Sequence, residues 1–227
     1  MRSAERAVGA AVLAMLAACA GTPPVVSKPV EAVQQAVNAA ATAVATAVPA
    51  VTETPVAPEA QRAFDAAKAH LKAGRTADAE RGFRDVVARW PELGGAHANL
   101  GLMLRSAGKH DESIAALEQA VKVSPKQPAF HNQLGISYRH KGEFQKARNA
   151  YEQAIALDDN HADSHLNLGV LLDLYLADPA LALVHYERYL ALSPSGDATV
   201  GKWVADLRTR KPVSVAQADV KPAAKKE

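Results

Sequence analysis

The sequence predicts an all-α fold, a solenoid of about four helix pairs closed by a C-terminal capping helix. Three observations predict it. A spacing of 34 residues recurs at several independent positions. Alanine is abundant while aromatic residues make up only 5% of the chain, a mix that suits closely packed helices better than a sheet. Glycines and prolines fall where helix pairs of that length would have to turn.

The period is carried by residues of different kinds. Gly74, Gly108 and Gly142 share it, as do Leu100, Leu134 and Leu168, with Gly101, Gly135 and Gly169 directly after them. The larger Phe83, Leu117 and Tyr151 keep the same step, and so do the small Ala79, Ser113 and Ala147. A fixed period of this size marks stacked structural repeats. Gly101, Gly135 and Gly169 remove a side chain where paired helices approach, and Ala120 and Ala154 do so where the next unit docks. Gly74, Gly108 and Gly142 stand where a first helix ends and positive φ is convenient; Pro91, Pro125 and Pro194 stand just after a second helix.

This pattern resembles the tetratricopeptide repeat (TPR) family, whose units are antiparallel helix pairs stacked into a right-handed superhelix. With Leu-Gly as the landmark of each first helix, the units run 60–93, 94–127, 128–161 and 162–196 within a domain of 58–196. The third agrees best, through Leu134, Gly135, Tyr138, Ala147, Tyr151 and Ala154. The second keeps Leu100, Gly101, Ala120 and Pro125; the first is weaker, with Ala67 at the glycine position, but retains Ala79, Phe83 and Pro91. The fourth needs one extra residue and lacks a glycine between its helices, where Asp178-Pro179 offers an N-cap followed by proline at N1. Tyr189 replaces the small docking residue, so no fifth repeat is expected. Val200, Trp203, Val204 and Leu207 instead form the stripe of an amphipathic helix, the expected cap over residues 197–210.

The ends of the chain carry a different signal. Arg2 and Arg6 precede an apolar run, broken only by Gly9, that reaches Ala18 and is too short to span a bilayer. It ends in Leu16-Ala17-Ala18-Cys19, which resembles the lipobox of bacterial lipoproteins. The resemblance implies a signal peptide over 1–18 and a diacylated, palmitate-bearing Cys19, the only cysteine in the chain. Ala20 rather than Asp after it implies the outer membrane, periplasm-facing. Residues 19–57 follow as a tether rich in Ala, Val, Thr and Pro. It reads as a flexible stalk, reaching about 120 Å if extended at roughly 3.1 Å per residue. Residues 30–48 are Ala-rich enough to become helical, and packing of that segment on the domain is the alternative. The tail, 211–227, has no hydrophobic periodicity and is expected to be disordered.

No catalytic arrangement emerges. The sequence has no Gly-x-Ser-x-Gly, His-Glu-x-x-His or phosphate loop, and no second cysteine for nucleophilic work. A formal net charge of +2 gives no reason to expect nucleic acid as partner. His97, His131 and His165 obey the 34-residue step, but equivalent positions on packed helices lie on the order of 10 Å apart. Zinc ligands sit about 2 Å from one ion, so the three are read as half-buried structural residues. His161 and His165, near Asp158, Asp159 and Asp163, are ligand-like in spacing, but His161 precedes the helix start. No metal, cofactor or small-molecule substrate is therefore expected.

What the resemblance implies is a concave surface lined by the first helices. Carried onto this chain, its positions are Lys68 and Lys72; Asn99, Leu102 and Arg105; Asn132, Gln133, Ile136, Arg139 and His140; and Asn167, Val170 and Asp173. Lys72, Arg105 and Arg139 are expected to form a solvent-facing basic stripe that takes a carboxylate-bearing partner segment. Family members that clamp the C-terminal carboxylate of cytosolic chaperones use Lys, Asn, Asn, Lys and Arg. Only Asn99 fits that set, with Phe64, Lys68, Ala129 and Gln133 at the other places, so that ligand is disfavoured. The reading is a membrane-anchored adaptor or scaffold for envelope proteins; a passive spacer between membrane and cell wall, or a pilotin-like assembly factor, are the alternatives.

Overall fold

The computed structural model describes residues 57–193 and 195–210. Cys19, the signal and tether segments, Pro194 and the tail lie outside them. Among the described residues there are nine α-helices: α1 Pro58–Lys72, α2 Thr76–Arg89, α3 Gly94–Ser106, α4 His110–Val123, α5 Pro128–Lys141, α6 Phe144–Leu157, α7 Ala162–Leu174, α8 Pro179–Leu192 and α9 Ala198–Thr209. The first eight form four pairs. Within each pair the helices pack extensively, each second helix then packs on the first helix of the next pair, and α9 packs on α8.

Glycine sets the distance within three of these pairs. A Cβ on Gly101 would fall 2.6 Å from Leu117 Cγ, one on Gly135 2.5 Å from Tyr151 Cε1, and one on Gly169 2.7 Å from Tyr186 Cδ1. Leu117, Tyr151 and Tyr186 are fully buried or nearly so, each packed against the glycine of its partner helix. Ala67 takes the glycine position in the first pair, where the close approach comes from Gly82 on the opposite helix. Ala120 and Ala154 are fully buried between units, as small docking residues should be.

The first three turns within pairs share one construction. Gly74, Gly108 and Gly142 adopt φ of 71°, 75° and 83°. The next residue's N–H then reaches five residues back: Arg75 to His70 O (3.0 Å), Lys109 to Leu104 O and Glu143 to Tyr138 O (both 2.9 Å). This is the bond that satisfies an orphan carbonyl at a helix C-terminus. The fourth turn uses other means. Ala177 takes φ of 52°, Asp178 N–H reaches Leu172 O at 2.9 Å, and the Asp178 side chain accepts from Leu181 N–H while Pro179 opens α8.

The turns between pairs are held by the periodic histidines. Nε2–H of His97, His131 and His165 donates to the carbonyl six residues earlier: Pro91 O (2.9 Å), Pro125 O (2.8 Å) and Asp159 O (3.1 Å). The sequence expectation of a half-buried filler is corrected for two of them, since His131 and His165 are buried. Their role is to fix the loop that carries one unit into the next.

At the C-terminal end, Asp197 caps α9 by accepting from Thr199 and Val200 N–H, and Val200, Val204 and Leu207 bury their side chains against the last pair. Trp203 departs from the expected stripe. It sits at its margin, 39% exposed, with its ring 5.5 Å from that of Tyr186.

Candidate partner-binding groove

The first helices of neighbouring repeats touch directly, α3 with α5 and α5 with α7. The carried-over groove residues therefore lie on adjoining helices. Several of them spend their polar groups on one another. Arg105 donates to Gln133 O (3.1 Å), Gln133 Oε1 (2.7 Å) and Ser137 Oγ (3.2 Å). It ties the second repeat to the third, is half-buried, and loses basicity chiefly through that burial, with Arg139's charge adding to the effect. The expectation of a solvent-facing Arg105 is thus corrected: a guanidinium reaching a backbone carbonyl on the next helix is a strut. Sequence spacing located its helix face, while the acceptors lie 28 and 32 residues away and leave no local pattern.

Asn132 is likewise corrected. It is 2% exposed, and its Oδ1 accepts from Asn167 Nδ2 at 3.1 Å, linking α5 to α7. Asp173 is also engaged, by the Arg210 guanidinium at 3.1 Å beyond the end of α9, so the cap closes over the last groove position. Asn99 turns its amide to Gly95 O within its own helix (2.7 Å). Lys68 lies 3.6 Å from Asp65 and over the Phe64 ring.

The remaining positions are more available. Leu102, Ile136 and Val170 are half-buried on α3, α5 and α7, giving an apolar line. Lys72 and His140 are exposed, and His140 stacks on His110 with ring centres 5.6 Å apart. Burial, then the charges of Arg139, Arg105 and His110, hold His140 below the usual histidine range. Arg139 takes part in no ion pair among the described residues. It and Arg105 act on Tyr151, whose buried hydroxyl has no hydrogen-bond partner among the described residues. Burial raises that phenol to about 12 against the opposing pull of the two guanidiniums. The centre of the face is thus the apolar line of Leu102, Ile136 and Val170 with Arg139 beside it.

Among the described residues no group of three or more His, Cys, Asp and Glu side chains is placed to share a metal ion. His161 Nδ1 shares a hydrogen bond with Ser164 Oγ (2.8 Å), while His165 Nε2 is turned to the Asp159 carbonyl. A polar pair that periodicity did not reveal lies beside it. With His165 Nε2–H committed to a carbonyl, its Nδ1 can only accept, so His185 donates from its own Nδ1 across 3.1 Å. His185 has no histidine counterpart in the other second helices, which is why the 34-residue step did not expose it.

No curated protein sequence is similar enough to this chain to count as a relative. Solved structures give the fold. A structure titled for functional characterisation of Pseudomonas aeruginosa pilF aligns with TM-score 0.59 at 20% identity, covering 65% of this chain and 67% of that one. A thermophilic TPR protein of Thermus thermophilus aligns with TM-score 0.55 at 25% identity, covering 66% and 81%. MamA of Desulfovibrio magneticus RS-1 aligns with TM-score 0.54 at 22% identity, covering 61% and 78%. Two family models match the sequence itself, one described as tetratricopeptide repeat over residues 64–128 and one as TPR repeat over residues 135–173. With four helix pairs stacked in that register, the chain is a tetratricopeptide repeat protein, built for contact with other proteins.

Proposed function

We propose that this protein is a lipid-anchored adaptor of the bacterial envelope, facing the periplasm from the outer membrane, which captures a segment of a partner protein in the groove of its first helices. The observation that carries the groove reading is the line Leu102, Ile136 and Val170 on three adjoining helices with Arg139 beside it. The anchor reading rests on Cys19 behind Leu16-Ala17-Ala18 at the end of a short apolar run. Two acyl attachments at one N-terminus suffice for stable membrane association, whereas one chain alone is marginal.

Arg139→Glu is expected to weaken capture by at least about tenfold, because a carboxylate-bearing segment then meets a like charge. Raising salt should weaken the wild-type complex as exposed charges become screened beyond about 10 Å at 0.1 M. The test is photo-crosslinking in cells from Ile136, with and without Arg139→Glu, beside a melting curve. Undiminished crosslinking in a folded Arg139→Glu variant removes the groove as the binding face. For the anchor, Cys19→Ser should release the protein from membranes, and palmitate labelling that persists in this variant overturns the lipid reading.

A further inference from the structure

The two ends of the array differ in a way the repeat register makes measurable. In the second and third repeats, Leu100, Leu104 and Ala116, then Leu134, Tyr138 and Ala150, are buried in clusters shared with the repeat before them. The first repeat has Ala66, His70 and Gly82 at these positions. Each is smaller or more polar than its counterparts, and no described element precedes α1. The result is a groove of about 520 Å³ between α1 and α2, lined by Ala66, Ala67, Gly82 and Val86 together with charged side chains that include Arg81 and Asp85. His70 lines it too, with its Nδ1 buried and lacking a partner among the described residues.

We propose that residues 30–48 of the same chain form a helix seated in this groove, an N-terminal cap supplied by the segment that leads into α1. The sequence of that segment matches the groove in pattern and size. Val30, Val33, Val37, Ala40, Val44 and Ala47 recur at alternating steps of three and four, which places them on one narrow helix face. Glu31, Gln35, Asn38, Thr42 and Thr46 fall on the opposite face, and Gln34 lies at the flank beside Val30. A stripe of small side chains suits a groove in which alanine replaces the leucine of later repeats. The polar face supplies what a solenoid end must show to water. The amide-bearing flank of the segment is equipped to satisfy His70 Nδ1.

Connectivity favours this occupant over any other. Residues 49–57, with Pro49 and Pro55 to end one helix and Pro58 to open the next, extend about 28 Å at roughly 3.1 Å per residue. That exceeds the roughly 22 Å length of α1, at 1.5 Å per residue, and so permits an antiparallel return. A short link of this kind holds the segment at an effective concentration in the millimolar range, above what a second copy or a partner's helix reaches in solution.

Hydrogen exchange on the full chain tests the proposal. Amides of residues 33–47 are expected to exchange at least about tenfold slower than an open chain, independently of protein concentration. Ala66→Asp in α1 and Val37→Asp in the segment should each restore the open-chain rate while α3 to α8 stay protected. Should Ala66→Asp unfold α1, Val37→Asp, which lies outside the described array, carries the test alone. Open-chain exchange in the wild type overturns the proposal, as does protection that survives both substitutions. Protection that rises with concentration in step with dimer formation assigns the groove to a second copy and overturns it as well. None of these outcomes depends on partner capture by the first-helix groove.

Discussion

The third and fourth repeats reach the same helix pair by different local chemistry. The third turns on Gly142 at φ 83°, docks its successor on Ala154, and stands between two neighbours. The fourth turns on Ala177 and a capped Asp178-Pro179 start, places Tyr189 where the docking alanine would be, and is followed by a single capping helix. Tyr189 is not idle there, since its hydroxyl reaches Asp197, the residue that caps α9, at 3.3 Å. The close approach inside a pair is the requirement common to both repeats, met in each by a glycine packed against a tyrosine ring. Turn and docking chemistry change when the array has to stop.

Overpacking the two glycine–tyrosine contacts is expected to give the largest loss of stability. A Cβ alone on Gly135 or Gly169 would lie within 2.5 or 2.7 Å of a buried tyrosine ring, so leucine at either site must displace that ring. Overpacking of this kind costs roughly 3 kcal/mol at its upper end. Gly135→Leu is expected to show the larger loss in urea unfolding, because an internal unit stabilises neighbours on both sides and the fourth repeat has one repeat beside it. Equal losses would mean that stability is not passed between neighbours as a solenoid requires.

Acid should separate the two repeats next. His185 faces His165, with Arg148 beyond, and burial followed by those charges drives it down to about 3 from its ordinary 6.5. His165 is lowered too, by burial against the raising effect of its bond to the Asp159 carbonyl and the Asp159 charge, with Arg188 and His161 adding to the lowering. In the neutral pair His165 Nδ1 accepts from His185 Nδ1–H, so protonating His165 removes the acceptor and breaks the bond, while protonating His185 keeps the bond but leaves a charge in a buried site. Both groups bind a proton more readily unfolded than folded. Their contribution is therefore fully present above the unfolded value of 6.5 and is lost as pH falls below it toward the folded values. Each proton linked to unfolding lowers stability by about 1 kcal/mol per pH unit. His185→Leu should flatten the decline in the melting temperature between about pH 6.5 and 5, and an unchanged slope would place the acid sensitivity elsewhere, His131 being next in line.

The capping aspartate gives a smaller effect. Asp178→Ala removes the acceptor for Leu181 N–H and should cost about 1 kcal/mol. No equivalent loss is expected at Glu143, which precedes α6 and makes no side-chain cap.

Much of the array was legible because its determinants repeat. The Leu-Gly landmarks, the glycine turns, the alanine docking sites and the Asp178-Pro179 start each rest on a local steric or hydrogen-bonding rule that residue type reveals. The groove was less legible. Its positions could be assigned to helix faces, but whether a side chain there stays free depends on partners far along the chain. Arg105 on Gln133, Asn132 on Asn167 and Asp173 on Arg210 are all contacts of that sort. The His165–His185 pair joins two helices at one place only, so no period announced it. The open groove of the first repeat was visible only after the register showed which side chains were missing.

The smallest predicted effect concerns the turn itself and has opposite signs in the two repeats. At Gly142 a Cβ would meet nothing within 4 Å, so Gly142→Ala adds no clash and exposes only the backbone cost of a left-handed alanine. That cost is about 1 kcal/mol, only partly offset by the reduced freedom of the unfolded chain. Ala177 already carries this strain at φ 52°. Ala177→Gly relieves it while giving back unfolded-chain entropy, so the net change should be a gain of about 0.5 kcal/mol. Urea unfolding of the two variants side by side is the measurement. A loss in both would show that the fourth turn depends on the Ala177 side chain itself and not on the Asp178 cap and the Asp178–Leu172 backbone bond that close it.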